Sequence, residues 1–274
     1  MRQAAGGFIA GGQGQIFILA RYPPGFGGRC VLVVPPFAEE MNKSRKIIAQ
    51  LTDELVKRGI GVVVPDLFGT GDSQGDFAEA TLGGWCQDLS ATCRWVGEKG
   101  WRIDTVLGVR LGCALALEFA SQSSDWPLPR QTIFWAPVLD GARSFEQFLR
   151  LRVAASLMSP RRETIAGLRA EFSAGATVEV AGYRISPQLA KDLDGLSPLG
   201  KATDIIGDVT WLEVARSTQV PISAQSALAL ESLRRAAVNT TSRTFVGELF
   251  WATGELTSVP ELLDETVRAI CNGQ

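Results

Sequence analysis

Residues 104–119 read DTVLGVRLGCALALEF: an apolar strand enters a tight turn bounded by Gly108 and Gly112, and an Ala/Leu-rich helix leaves it. A strand–turn–helix of this form presents its central residue to a pocket, and a hydroxyl or thiol there would be a nucleophile beside the helix N-terminus. The centre here is Arg110. A guanidinium stays protonated at any working pH and cannot attack a carbonyl. Its planar fork instead suits a carboxylate or phosphate, gripped by two parallel hydrogen bonds. The first N–H groups of the helix, from Leu111 onward, add positive potential on the same side. Arg110 and Leu111 are thus a candidate anion site, at the centre of a turn that is usually strained by about 1–3 kcal/mol.

Other groups that can do chemistry gather on loops around this turn. Glu39 and Glu40 follow the apolar run that ends at Phe37, and either can tie up Arg110 internally or compete with a ligand for it. Asp66, Asp72 and Asp76 lie in a Gly-rich loop. Paired carboxylates with separated pKa values can share acid and base work, or hold a divalent cation; equally, such aspartates cap turns. GDSQG at 71–75 fits a Gly-x-Ser-x-Gly pattern. Its context is wrong, because Ser73 follows a turn-rich stretch and precedes a polar one, with neither the strand nor the helix that a nucleophile needs. Ser73 reads as a loop-shaping residue. Cys113 sits within CALALEF, which suggests an inward apolar face rather than an activated thiol. The chain has no histidine, so no imidazole can serve as base, shuttle or ligand.

The elements that must position these groups alternate along the chain. GFIAGGQGQIFILARYPP predicts an opening hairpin, and apolar runs at 29–37, 60–66, 103–107 and 131–138 predict strands covered on both faces. Apolar residues at 47, 48, 51, 55 and 56 give 42–58 a helical period, with Asn42 or Ser44 as cap and Gly59 as stop. Helices are expected at 82–99 and 111–122. Regularity breaks over 141–205, which holds helical segments, a Pro-Arg-Arg break and a short strand-like stretch, ATVEVAGYRIS. It resumes with strand 208–216, helix 221–237, strand 243–250 and helix 260–271. The pattern implies an α/β architecture: a mostly parallel sheet with helices on both faces. Residues 1–140 and 206–274 form the core and 141–205 a cap over the C-terminal strand ends, where open sheets bind ligands.

With 274 residues, 46% hydrophobic and 20% charged, the chain can bury a sizeable core. A net charge of −2 gives no basic face for nucleic acid. No apolar run reaches the roughly 18–20 residues of a membrane span, and the N-terminus lacks the apolar core of a signal peptide. Five scattered cysteines without CxxC spacing read as free thiols in a reducing compartment.

These features together resemble the α/β-hydrolase superfamily across nearly the whole chain. Asp66-Leu-Phe-Gly69-Thr-Gly71-Asp72-Ser73 resembles that superfamily's Asp-x-x-Gly-x-Gly-x-Ser loop. VVPPFAEEMNKSR (33–45), GDSQGDF (71–77) and GVRLG (108–112) are similar to one subgroup, the second type of exosortase A system-associated hydrolases. That resemblance implies a cytoplasmic bacterial protein encoded alongside PEP-CTERM sorting and exopolysaccharide genes, with a companion hydrolase nearby. The superfamily's acid belongs after strand 208–216 and its histidine after strand 243–250. STQVPIS and WATGELTS stand there instead, so Trp251 takes about the histidine's place and Glu213 falls inside a strand.

The leading expectation is a pseudo-hydrolase that binds an anionic small molecule, a lipid- or sugar-linked intermediate, or a partner. Its ligand-binding residues would be Phe37, Glu39, Glu40, Asp72, Arg110, Leu111 and Trp251. Two alternatives stay open: an unorthodox hydrolase or transferase using the carboxylates with Arg110, and a structural partner of the companion hydrolase. LRLR (149–152) and PRR (160–162) fit a docking or phosphate-facing surface, and equally a solvated helix face. No cofactor and no resident metal are expected.

Overall fold

Apolar strands separated by amphipathic helices must bury two faces of each strand and one of each helix, and a helix-covered sheet does both. A computed structural model describes residues 3–158, 162–198, 206–217, 219–220, 222–253 and 257–271. Its strands are β1 (Gln3–Ala10), β2 (Gln15–Tyr22), β3 (Arg29–Val34), β4 (Gly61–Pro65), β5 (Arg102–Val109), β6 (Gln131–Trp135), β9 (Asp208–Ala215) and β10 (Thr240–Val246). They form one sheet in the order β1-β2-β4-β3-β5-β6-β9-β10. The opening hairpin pairs antiparallel, as does β2 with β4; every other pairing is parallel.

Side chains alternate across the sheet along each strand. Val106, Phe134 and Trp211 pack under α2 (Leu82–Glu98), α3 (Leu111–Gln122) and α7 (Ala224–Arg235). Leu107, Val109, Ile133 and Trp135 face the other way, toward α1 (Glu39–Lys57) and α8 (Pro260–Cys271). Between β6 and β9 the chain forms α4 (Gly141–Ser156), α5 (Ile165–Ser173), the small hairpin β7 (Val178–Val180) and β8 (Tyr183–Ile185), and α6 (Pro187–Gly195). Phe145, Phe148 and Leu149 of α4 bury themselves in the same core as α2 and α3. Among the described residues, no helix is long and apolar enough to cross a membrane.

Several boundaries differ from the sequence expectation, each for a physical reason. The strand expected to run to 37 stops at Val34, because Pro35 and Pro36 have no N–H to give the sheet. The strand expected to reach 138 stops at Trp135, where Ala136 turns with φ 42°. The first helix starts at Glu39, not at an Asn42 or Ser44 cap; Ser44 lies inside it and donates its hydroxyl to the Glu40 carbonyl at 2.7 Å. The strand expected at 243–250 lies at Thr240–Val246, and the helix expected from 221 begins at Ala224 behind a Ser223 cap. Residues 160–161 of the Pro-Arg-Arg break and 199–205 of the expected cap lie outside the described residues.

Candidate functional site

Two adjacent strands deliver the site. β3 and β5 pair with Val34 opposite Gly108, and each runs straight into a helix through one residue of rare backbone geometry. Ala38 has φ 51° and ψ −126°, and Arg110 has φ 55° and ψ −122°. The protein therefore has two elbows of one shape side by side. The sequence pattern exposed only that at Arg110, since nothing in Ala-Glu-Glu marks a forced turn. Such backbones cost about 1–3 kcal/mol each and persist only where the surroundings hold them. Gly112 shows what holds Arg110: a Cβ on it would lie 2.4 Å from the Val34 carbonyl oxygen and 2.5 Å from that of Pro35. The first turn of α3 thus abuts the exit of β3 backbone to backbone. At Gly108 a Cβ would meet the Cys113 Cα at 2.7 Å, so both flanking glycines are required by packing.

The side chain of Arg110 is fully engaged within the protein. Its Nε and Nη2 each donate to Oε1 of Glu40 at 3.3 Å, and Nη1 donates to the Ala136 carbonyl at 2.8 Å. Its guanidinium carbon lies 4.3 Å from the centre of the Trp251 ring. Arg110 and Glu40 side chains are 15% and 25% exposed, so water screens the pair only in part. Burial raises the Glu40 carboxyl above its ordinary range, against the lowering pull of Arg110. Glu39, one residue earlier on α1, pairs with Lys43 at 3.3 Å instead. So Arg110, Glu40 and Trp251 come together, and Glu39 does not join them.

Beside this trio lies a cleft lined by Phe37, Ala38, Leu111, Leu115 and, from the cap side, Leu193 and Leu196. Arg110 does not line it. The cleft is apolar and tight, with a volume of about 20 Å³ for water centres, room for about one water. Two of the aromatic rings that line it are backed by the cap: Phe37 packs on Phe148 of α4 at 5.1 Å, and Phe77 on Tyr183 of the cap hairpin at 5.0 Å. Leu111 is the first residue of α3, and its N–H has no acceptor within the helix. The cleft therefore joins an apolar wall to the positive end of a helix.

The remaining candidates are held elsewhere. Asp72 is exposed and its N–H donates to Oδ2 of Asp66 at 2.9 Å. Asp66 is buried, which raises its carboxyl, and Arg45 stands 3.5 Å away. Ser73 donates to the Asp66 carbonyl at 2.5 Å and accepts from the Phe17 N–H at 2.8 Å, pegging the loop to β2. Asp76 caps the short turn of helix at Phe77–Glu79 and pairs with Arg184 of β8 at 3.3 Å. Glu213 lies within β9, where it accepts from Trp211 Nε1 at 2.8 Å and from the Ser226 hydroxyl at 2.7 Å. Cys113 is buried, and burial holds its thiol well above the usual range. Among the described residues, no three His, Cys, Asp or Glu side chains gather as a metal site. Nothing in the sequence marks Ala136, whose carbonyl holds Arg110, except the Pro137 behind it, which signals a strand end.

No family model matches the sequence, and no curated relative matches it either. Solved structures do match over the whole length. Est1E from Butyrivibrio proteoclasticus with ferulic acid bound is 14% identical, with 98% of each chain covered and a TM-score of 0.67. Carboxyl esterase 2 from Tuber melanosporum is 16% identical, with 98% of this chain and 84% of that one covered and a TM-score of 0.64. An alpha-beta serine hydrolase homologue from Coxiella burnetii is 16% identical, with 97% of each chain covered and a TM-score of 0.56. The chain has the α/β-hydrolase fold. Identities this low carry the fold and nothing finer. Within that fold, Arg110 occupies the turn where a serine hydrolase holds its nucleophile. Trp251 stands on the loop beyond β10, and packs on Phe250 with ring centres 4.9 Å apart.

Proposed function

We propose that this protein is a pseudo-hydrolase: an α/β-hydrolase fold kept as a binding module, with acyl-transfer chemistry absent. The observation that carries the reading is the internal capture of Arg110 by Glu40, the Ala136 carbonyl and Trp251. A protonated guanidinium at the elbow gives no nucleophile, and a chain without histidine gives no imidazole base. The binding surface in this reading is the apolar cleft with the α3 N-terminus at its end. As it stands the cleft holds about one water, so a ligand with an apolar chain and an anionic head must part the side chains that close it, and its head must displace Glu40 from Arg110 or stop at the N–H of Leu111. A lipid-linked intermediate of exopolysaccharide synthesis has that chemistry, and the strings at 33–45 and 71–77 support the exosortase and PEP-CTERM setting.

The test is turnover of short-chain p-nitrophenyl acyl esters, with fluorophosphonate labelling of the same samples. Wild type, Arg110→Ser and Arg110→Ala are compared. The expected result is no labelling and no turnover above a boiled control. Turnover that survives purification and disappears in Arg110→Ala would overturn the reading and make the Glu40–Arg110 pair an active site.

A further inference from the structure

The cap helix α4 has two unlike faces. Phe145, Phe148 and Leu149 point into the core, while the opposite side carries Arg143, Gln147 and Arg150 and then, over the last turns, Leu151, Ala154 and Ala155, all exposed. Leu157 and Met158 extend this surface, 60% and 96% exposed. Spacings of three, four and seven from Leu151 put Ala154, Ala155 and Met158 on one stripe. Elsewhere Leu128 is exposed on a loop and Phe8 packs on Phe17 across the opening hairpin at 5.4 Å, whereas Leu151, Leu157 and Met158 gather at one helix end.

The charge around this tip is net positive. Residues 141–173 hold six arginines against three glutamates, in a chain of net charge −2. The Glu163 N–H donates to the Ser156 hydroxyl at 3.0 Å and the Glu163 carboxylate pairs with Arg152 at 2.6 Å, so the returning chain brings exposed Arg162 beside the end of α4. Arg150, although paired with Glu146 at 2.7 Å, remains 67% exposed. An apolar tip ringed by arginines is the pattern that seats a helix in an interface of anionic headgroups.

We propose that the end of α4 is an interfacial docking surface for an anionic lipid bilayer. Leu151, Leu157 and Met158 enter the headgroup layer, and Arg143, Arg150 and Arg162 meet its phosphates. No helix crosses the bilayer in this arrangement. Phe148 of the same helix packs on Phe37, which lines the cleft, so docking would bring the cleft close to the surface where lipid-borne ligands reside. The proposal stands apart from the reading of Arg110 as a failed nucleophile, because neither the surface nor its test involves the elbow.

The test is co-sedimentation of the full chain with sucrose-loaded vesicles of phosphatidylcholine alone, and of phosphatidylcholine mixed with phosphatidylglycerol. Binding is expected only to the mixed vesicles, and is expected to fall as salt rises. Arg150→Gln and Arg162→Gln should each weaken it by about fivefold, and Leu157→Ser with Met158→Ser by at least about tenfold. Urea midpoints should change little, since these side chains are largely exposed and the Arg150–Glu146 pair lies on the surface. Equal binding to both vesicles, no binding to either, or full binding by the Leu157/Met158 variant would overturn the proposal. So would light scattering that shows a dimer dissolved by Met158→Ser in a protein that ignores vesicles, because the surface would then belong to a second copy of the chain.

Discussion

Replacing Arg110 with alanine tests whether Glu40 is truly a desolvated charge held by one partner. Alanine keeps a Cβ at the strained backbone, so the change in conformational strain is small, and the loss is that of the side-chain contacts. Removing one member of a buried ion pair costs about 3–5 kcal/mol. This pair is partly screened by water, with 15% and 25% exposure, which brings the electrostatic part to roughly 2 kcal/mol. The lost donation to the Ala136 carbonyl and the Trp251 stacking add about 1 kcal/mol between them. At neutral pH the variant should thus lose about 3 kcal/mol, a fall in Tm of roughly 6–12 °C. The pH dependence has a definite sign. Burial raises the folded-state carboxyl of Glu40 above its unfolded value, and without Arg110 it rises further. The folded state then binds more protons than the unfolded one above about pH 4.3, so stability falls as pH rises through that window. The electrostatic part of the deficit should grow as pH rises from the ordinary carboxylate range. Adding Glu40→Gln to Arg110→Ala removes the charge and should restore about 2 kcal/mol, read as a urea midpoint across pH. If the single and double variants unfold together with flat pH profiles, Glu40 is not a desolvated charge and the electrostatic account of the site fails.

Gly112→Ala should destabilise by more than about 3 kcal/mol or prevent folding, because its methyl meets backbone oxygens at 2.4 and 2.5 Å; Gly83→Ala, with nothing within 4 Å, should be neutral or slightly stabilising by urea denaturation. Ala38→Gly should not show the usual helix-glycine penalty of about 1 kcal/mol, since glycine relieves the φ of 51°; a loss of that size in a urea midpoint would argue that the elbow is unstrained. Ser73→Ala should cost about 1–2 kcal/mol through the loss of both its hydrogen bonds, with fluorophosphonate labelling unchanged at background. Burial pushes the thiols of Cys30, Cys86 and Cys93 up to about 12, so at pH 8 iodoacetamide should modify them only after unfolding in urea, as read by mass.

The periodicities that follow from burial are local, and the sequence carries them openly. Four apolar runs, the helical spacing at 47–56 and the Gly108–Gly112 turn place β3 to β6 and the elbow within a few residues. What escaped was wherever a neighbour in space, and not in sequence, sets the backbone. Asn42 and Ser44 look like caps, yet α1 begins three residues before Asn42 because β3 must leave the sheet at Pro35 and turn through Ala38 to reach its place beside α8. Helix tips and strand ends are decided by such tertiary contacts more than by intrinsic preference.

The sequence by itself determined the chemistry that is absent: no histidine anywhere, and a guanidinium where a nucleophile would sit. It also determined the layered architecture, since burial patterns admit few others. Which carboxylate holds Arg110 was a tertiary matter. Glu39 and Glu40 are equivalent as letters, but neighbours on a helix point about 100° apart, and only the direction in which the Ala38 elbow launches α1 turns Glu40 toward Arg110 and Glu39 toward Lys43. The Trp251 stack and the exposed tip of α4 arise likewise, from chain segments more than a hundred residues apart or from a face that the fold leaves uncovered. Residue types limit what a site can do; the packing of distant elements decides which of those residues meet.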